Sequence, residues 1–322
     1  MMARAFWAVA PGEGTLRSEP LPAPGPGQAL VSTLATGISR GTESLVFHGR
    51  VPESEYARMA CPMMGGAFPF PVKYGYCAVG LAETGAHAGS RVFALAPHQD
   101  RFVADDAMLT PLPEVLPTRR AVLAANMETA LNIFWDAQPL IGERIAVIGA
   151  GVVGLMSAFL LARLPATTVT VIDRDASRVA LAQNFGCRFA LPDDAPGEQD
   201  LIVHASGNPA GLACAIGIAA NEARILEASW FGTAPCAVPL GGAFHSRRLR
   251  LIATQVGQVA GPMRGRRSHA QRLQVALDLL QDDRLDALLD GPTAFEDLAT
   301  AMPEILGAPG ALCHVVLYTK DA

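Results

Sequence analysis

Cysteine is sparse and shows no pattern. Six cysteines (Cys61, Cys77, Cys187, Cys214, Cys236, Cys313) are scattered over 322 residues, with no C-x-x-C. That spacing argues against a disulfide framework and for reduced thiols, hence a cytoplasmic protein. No uncharged apolar run reaches membrane-spanning length, so no membrane partner is expected. There is no internal repeat and no low-complexity tract. The opening stretch, Met-Met-Ala-Arg-Ala-Phe-Trp-Ala-Val-Ala, stops at Pro11, too short for the apolar core of a signal peptide. Charge of one sign is also lacking: the net charge is -5, which argues against a nucleic-acid binder.

What is present points elsewhere. The length suggests two domains, and 50% apolar residues can build a sizeable core. The stretch Arg144-Ile-Ala-Val-Ile-Gly-Ala-Gly-Val-Val-Gly-Leu155 is the strongest local signal. Ile145–Ile148 reads as a buried strand, and Met156–Leu164 as a helix. Between them Gly149, Gly151 and Gly154 have the G-x-G-x-x-G spacing of a dinucleotide-binding turn. Gly149 permits the tight turn, Gly151 lets the backbone approach a pyrophosphate, and Gly154 permits close helix–strand packing. Val152 and Val153 open the helix whose N-terminus would carry the pyrophosphate. A second strand, Thr168–Ile172, ends on Asp173, twenty-four residues after Gly149. A carboxylate there accepts hydrogen bonds from ribose hydroxyls and repels a 2′-phosphate, so NAD is expected over NADP. Arg174 and Arg178 are the nearby cations that could accommodate that phosphate.

Around this core the chain divides in three. Residues 1–117 alternate short apolar runs with Pro, Gly and Ser clusters and read as a β-rich domain. Residues 118–262 begin with a helix over Arg119–Asp136. They continue in strand–helix alternation, with strands at Leu201–Ala205, Arg224–Glu227 and Leu249–Ala253, and a helix near Gly211–Ala220. That is α/β with a doubly wound parallel sheet. Residues 263–322 carry helices at Ser268–Leu280 and Phe295–Leu306, the second begun near Thr293, and a closing strand at Leu312–Tyr318. This tail is best explained as returning to complete the first domain.

That order resembles the medium-chain dehydrogenase/reductase superfamily of the zinc alcohol dehydrogenase type, over essentially the whole chain. Besides the glycine motif, three segments carry the likeness. Gly37-Ile-Ser-Arg-Gly-Thr-Glu43 is similar to the family's Gly-Ile-Cys-x-Thr-Asp turn. Phe70-Pro-Val-Lys-Tyr-Gly-Tyr-Cys-Ala-Val-Gly80 is similar to its Pro…Gly-His-Glu…Gly segment. Ala124-Ala-Asn-Met-Glu-Thr-Ala130 is similar to the helix whose threonine, here Thr129, lies under the nicotinamide. Within the superfamily, Ser39–Leu45, Pro71–Tyr76, Ala125–Ala130 and Phe244–Leu249 resemble the bacteriochlorophyllide a dehydrogenase-like subgroup, whose namesake oxidises a hydroxyethyl side chain to an acetyl group. The resemblance implies a GroES-like β-rich catalytic domain, an inserted Rossmann NAD-binding domain, a loop at Ser206 near the nicotinamide ribose, and a homodimer through the edge of the Rossmann sheet.

The departures bear on the chemistry. The catalytic zinc of the family needs three ligands from Cys, His or acid. Here Ser39 (or Arg40) stands for the first Cys, Tyr76 for the His with Cys77 beside it, and Ala125 for the third Cys. The four-cysteine structural zinc lobe is also missing after Val92, where Phe93–Asp100 holds no cysteine. No zinc is therefore expected. Without it, hydrogen-bond donors and a proton relay must act on the reacting oxygen. The candidates are Tyr76, as donor or as acid/base if its pKa were depressed; Thr42, matching the family's relay hydroxyl; and Glu128, as base or substrate orienter. Glu43 and Arg40 are expected to pair across their turn. His98 reads as a turn residue, and His204 as a core histidine rather than a catalytic one.

From Ala228 to Leu277 there is no acidic residue, while Arg247, Arg248, Arg250, Arg264, Arg266, Arg267 and Arg272 fall inside it. Guanidinium groups suit carboxylates and phosphates, so a small-molecule substrate carrying an anionic group is one expectation, and a solvated or internally paired basic edge is the other. The expected function is a zinc-independent, NAD-dependent oxidoreductase acting on a secondary alcohol/ketone pair. The alternatives are an NADPH-dependent quinone or enoyl-type C=C reductase and an NAD-binding sensor or subunit without turnover.

Overall fold

The computed structural model describes residues 1–318 and separates into two compact units. Unit 1 comprises Met1–Ala125 together with the segment from Leu273 onward, and unit 2 comprises Asn126–Arg272. These divisions fall inside the helices Ala124–Ala137 and His269–Leu279. The expected boundaries at 117/118 and 262/263 follow the prolines that change the composition, and the chain crosses between units some residues later.

Unit 1 is built on the strand Gln28–Ile38, which is buried on both faces over most of its length. It pairs antiparallel with Ala78–Ala82, Arg101–Asp105 and Cys313–Leu317. The last pairing, His314 opposite Ile38 through Leu317 opposite Ala35, is how the C-terminal segment completes the sheet. Close approach there requires a glycine: a Cβ on Gly37 would lie 2.9 Å from Cys313 Sγ and 3.0 Å from Val122 Cγ2. Arg120 secures the same segment, donating Nε and Nη2 to the two carboxylate oxygens of Asp286 at 2.7 and 2.6 Å. A second sheet of four strands packs Met2–Ala10 between Glu13–Pro20 and Val72–Lys73.

Local expectations need several corrections. The Gly37–Glu43 turn leads directly into a helix, Arg40–Phe47. The single helix over Arg119–Asp136 is two, Thr118–Ala121 and Ala124–Ala137. An i→i−3 bond from Leu123 N–H to the Arg120 carbonyl closes the first, and the ladder restarts. Thr293 lies in a strand, Leu289–Ala294, rather than at a helix start. That short strand, rich in Gly and Pro, carries no alternation to read.

Unit 2 has a six-stranded sheet in which every pairing is parallel, ordered Arg188–Ala190, Thr168–Ile172, Arg144–Ile148, Gln199–His204, Ala219–Glu227, Arg250–Ala253. In chain order this is 3-2-1-4-5-6, the doubly wound dinucleotide-binding topology. Arg144–Ile148 is near-continuously apolar because both faces are covered. The helix that follows, Val152–Leu161, is buried from Gly154 through Leu161. Phe159 on it meets Phe185 edge-on at 5.4 Å. Burying each ring contributes about 2–3 kcal/mol. Among the described residues no helix is long and apolar enough to cross a membrane.

Candidate dinucleotide site and hydroxyl cluster

The order of strands reverses between Arg144–Ile148 and Gln199–His204, and the glycine-rich turn sits at that switch point. Each glycine has a distinct geometric reason. Gly149 has φ +107°, and a Cβ on it would lie 2.8 Å from the Ser206 backbone. A Cβ on Gly154 would overlap the Gly149 carbonyl oxygen. Gly151, the N-cap of the helix, is exposed with nothing within 4 Å of a Cβ. The first two are demanded by the fold, whereas the third leaves space for a ligand. Val152 and Val153 are the first helical residues, and their N–H groups belong to the helix start, where no intrahelical acceptor exists. A pyrophosphate fits there on charge and on space.

Asp173 ends its strand beside this turn. Its Oδ2 accepts from Ala150 N–H at 2.6 Å and its Oδ1 from Asp175 N–H at 2.9 Å. The carboxylate therefore fixes the glycine-rich turn and retains lone pairs for ribose hydroxyls. Arg178 is engaged with Asp175 (Nε to Oδ2, 3.4 Å), whereas Arg174 is exposed. Of the two cations expected near a 2′-phosphate, Arg174 is the accessible one. Thr129 is partly exposed on the Ala124–Ala137 helix.

Ser206 belongs to a network that sequence reading did not assemble. Adjacent parallel strands end on His204 and Glu227, which stand in register. His204 is fully buried; its Nδ1 lies 2.7 Å from Glu227 Oε2 and its Nε2 2.6 Å from Ser206 Oγ. Glu227 Oε1 accepts from Ser229 N–H at 2.8 Å, and Ser229 Oγ accepts from Gly207 N–H at 3.0 Å. The signal was available in principle, since both residues close apolar runs of one sheet.

Unit 1 carries a second cluster, of hydroxyl groups. The Tyr76 phenol is hydrogen-bonded to the side chains of Ser39 and Thr42. Burial pushes the phenol far above its ordinary range; Cys77 and Glu43 add to this, and the two hydroxyl bonds oppose it. Tyr76 is thus a protonated donor, which corrects the idea of a phenol with depressed pKa. The expected Glu43–Arg40 pair is replaced. Glu43 Oε2 meets His98 Nε2 at 2.8 Å and Oε1 accepts from Ser39 N–H at 2.7 Å, while Arg40 donates to the Leu306 and Ala311 carbonyls. His98 is a buried partner, not a turn residue.

Glu128 is buried in unit 2 against Arg272, whose Nε donates to Glu128 Oε1 at 3.0 Å. Arg272 also donates to Asn132 Oδ1 and to the Val256 and Gln258 carbonyls. Burial raises the Glu128 carboxyl, and Arg272 draws it partly back. Neither a free catalytic base nor an exposed helical glutamate describes it; its role is to fix the helix to the chain around residue 257. The basic stretch is internally paired at three points: Arg272 with Glu128, Arg247 with Glu198 and Arg248 with Glu222. Its acids come from outside the stretch, which local sequence cannot show.

The residues at the family's zinc-ligand positions do not fit the metal. Ser39 and Tyr76 are used on one another and Ala125 has no donor. Among the described residues no three His, Cys, Asp or Glu side chains come together as a metal-holding group.

Comparison with known proteins agrees with this geometry. Residues 145–211 match the family described as ketopantoate reductase PanE/ApbA. Galactitol 1-phosphate 5-dehydrogenase of Escherichia coli (strain K12) is 26% identical over 211 residues, 60% of this chain and 59% of that protein. The chain thus aligns with about three-fifths of the length of such relatives. Among solved structures, L-idonate 5-dehydrogenase of Escherichia coli superposes with a TM-score of 0.82 at 13% identity, covering 99% of each chain. An alcohol dehydrogenase from Escherichia coli CFT073 complexed with NADH gives 0.78 at 17%, covering 98% of this chain and 99% of that one. The fold is that of these dehydrogenases, with GroES-like and Rossmann domains. In sequence over about three-fifths of its length, and in fold over nearly all of it, the chain is similar to these dehydrogenases.

Proposed function

We propose that the protein is an NAD-dependent oxidoreductase that moves a hydride between the nicotinamide and the carbon of a secondary alcohol/ketone pair, without zinc. The observation that carries the reading is the glycine-rich turn. Gly149 and Gly154 are forced by packing, Gly151 is left open, and Asp173 both pins the turn and offers acceptors to a ribose. NAD is preferred over NADP because a carboxylate stands where a 2′-phosphate would lie. The NADH bound by the alcohol dehydrogenase of similar fold supports the same cofactor class.

The dinucleotide supplies the hydride acceptor. The Tyr76 hydroxyl, kept protonated by burial, donates to the substrate oxygen, and Thr42 and Ser39 orient it. Galactitol 1-phosphate 5-dehydrogenase, by its name, acts on a secondary alcohol in a molecule that carries a phosphate. A small polyol or hydroxy acid is the substrate class this suggests, although Arg247, Arg248 and Arg272 are committed to acids of the fold. A cytoplasmic homodimer completes the reading.

The test is a panel of secondary alcohols and polyols, with and without anionic groups, followed by the near-ultraviolet absorbance of NADH. Enzyme dialysed against a chelator should retain its rate, and Tyr76→Phe should lower kcat about a hundredfold. A rate abolished by the chelator and restored by zinc would overturn the metal-free mechanism. NADH binding with no hydride transfer to any of the panel would favour a sensor or subunit.

A further inference from the structure

Of the arginines in the acid-free stretch Ala228–Leu277, Arg247, Arg248 and Arg272 are paired with acids. Arg250 opens the edge strand Arg250–Ala253, at the end of the sheet away from the glycine-rich turn. The others, Arg264, Arg266 and Arg267, are exposed and form no ion pair among the described residues. Their guanidinium groups are little used. Arg264 Nε donates to the Val259 carbonyl at 3.4 Å and Arg267 Nη1 to the Arg266 carbonyl at 3.0 Å. Like charges this close in sequence repel one another, so the fold gains nothing from gathering them.

The segment that carries them is nevertheless held firmly. The chain leaves the edge strand at the carboxyl end of the sheet, where Thr254 N–H bonds to the Glu227 carbonyl at 3.1 Å. Residues 254–260 are fastened to the helix Ala124–Ala137: Asp136 Oδ2 accepts from Thr254 Oγ1 at 2.7 Å, and Asn132 Oδ1 from Ala260 N–H at 2.9 Å. Arg272, beyond the exposed arginines, reaches back to Asn132 Oδ1 and to the Val256 and Gln258 carbonyls. Residues 261–271 are thus pinned at both ends in one buried network. Between those ends the turn is tight. Arg264 N–H bonds to the Ala260 carbonyl, and the Arg266 and Arg267 N–H groups share the Met263 carbonyl. The three side chains leave one short, braced turn.

Its place in unit 2 gives the role. Ligands of open parallel sheets bind beyond the carboxyl ends of the strands. The half of the sheet across the switch point from Asp173 receives the nicotinamide mononucleotide, and the edge strand closes that half. The helix that anchors the loop also carries Thr129. We propose that Arg264, Arg266 and Arg267 form a recognition site for a phosphate monoester carried by the substrate. This rests on the oxidoreductase reading above and narrows its substrate class. Guanidinium forks match phosphate oxygens two at a time, and a dianion offsets a triple positive charge better than a carboxylate does. A phosphate held away from the reacting carbon orients that carbon without taking part in the chemistry.

Calorimetric titration of the full chain with glycerol 3-phosphate, with glycerate and with glycerol tests this, in saturating NADH so that the pyrophosphate position is filled. The ester should bind, glycerate more weakly and glycerol not at all. Arg266→Ala and Arg267→Ala should each weaken ester binding about tenfold. Arg266→Lys, which keeps the charge and loses the fork, should fall between. Arg250→Ala, at the other end of the edge strand, should change nothing. For any alcohol that the enzyme turns over, Arg266→Ala should raise the KM of its phosphate ester at little cost in kcat and leave the unphosphorylated alcohol unaffected. Ester binding no tighter than that of glycerate or glycerol, or equal losses in Arg250→Ala and Arg266→Ala, would overturn the inference. Failure to bind NADH would instead sink the reading on which it rests, and the ester titrations repeated without NADH would still report whether the arginine turn holds a phosphate.

Discussion

Glu43 Oε2 and His98 Nε2 lie 2.8 Å apart with side chains only 3% and 1% exposed. The second ring nitrogen, Nδ1, lies 2.7 Å from Thr36 Oγ1, and the second carboxylate oxygen accepts from Ser39 N–H. Thr36, Ser39 and Glu43, close in sequence, thus share one polar network with the distant His98, and the turn that presents Thr42 is fastened to the central strand by it. Such networks are costly to break because each remaining member loses its partner away from water. His98→Ala should lower the unfolding free energy by about 3 kcal/mol. Arg40→Ala, which loses two long bonds to carbonyls, should cost about 1 kcal/mol. Urea midpoints at constant slope compare the two; equal losses would contradict the exchange of partners.

The glycine turn permits a sharper contrast. Gly154→Ala places a methyl on the Gly149 carbonyl oxygen, so the helix must move from the strand. Gly151→Ala meets nothing in the protein. The first variant should lose about 2 kcal/mol or more of stability, the cost of overpacking. The second should melt like the wild type yet bind NADH at least tenfold more weakly, because its methyl occupies the ligand's space. If Gly151→Ala binds NADH normally, the pyrophosphate is not where the turn implies.

Glu128 and Arg272 offer a test of stability against catalysis. Both side chains are nearly inaccessible, at 8% and 2% exposure, so breaking the pair leaves a buried charge alone. Arg272→Met should cost about 3–5 kcal/mol, and the double variant Glu128→Leu/Arg272→Met should recover most of that loss. Thermal melts of the four proteins form a double-mutant cycle. A folded Glu128→Leu/Arg272→Met protein that turns over normally would confirm a structural pair; loss of kcat at unchanged stability would restore Glu128 to the catalytic candidates.

How far the sequence reached follows from the range of each interaction. Gly149, Gly151, Gly154 and Asp173 act within one strand–turn–helix–strand unit, so their spacing carried their geometry. The apolar strands of unit 2 were legible for the same reason. Strands such as Glu13–Pro20 and Leu289–Ala294 are half exposed and held by pairing partners, and nothing local marks them. Polar networks were the least legible. His98 meets Glu43 across fifty-five residues and Arg272 meets Glu128 across one hundred and forty-four. A lone histidine in a turn-rich stretch, or an arginine in a basic one, looks exposed until its partner is known.

The thiols yield a prediction about pH whose sign can be worked out. Burial pushes Cys61 and Cys187 up to about 12, against an ordinary thiol value near 9. Burial also pushes up Cys77 and Cys313, and the phenols of Tyr74, Tyr76 and Tyr318. A group with a higher pKa in the fold than in the unfolded chain holds its proton more tightly when folded. Its stabilising contribution is complete below the unfolded value and is lost as pH rises from there toward the folded one. For these groups that window opens at about pH 9, the unfolded thiol, and extends to about 12. Unfolding free energy should therefore be insensitive to these groups between about pH 6 and 8 and should fall steadily above about pH 9. The same shift makes the thiols inert: at pH 8 a thiol of pKa about 12 is ionised in roughly one molecule in ten thousand, and the thiolate is the reactive form. Iodoacetamide at pH 8, read by peptide mass mapping, should leave Cys61 and Cys187 unmodified in the native protein and alkylate them rapidly in urea. Native alkylation of Cys61 at the rate of an unfolded thiol would show that the Gly75 carbonyl, which its thiol contacts at 3.3 Å, does not hold it inside.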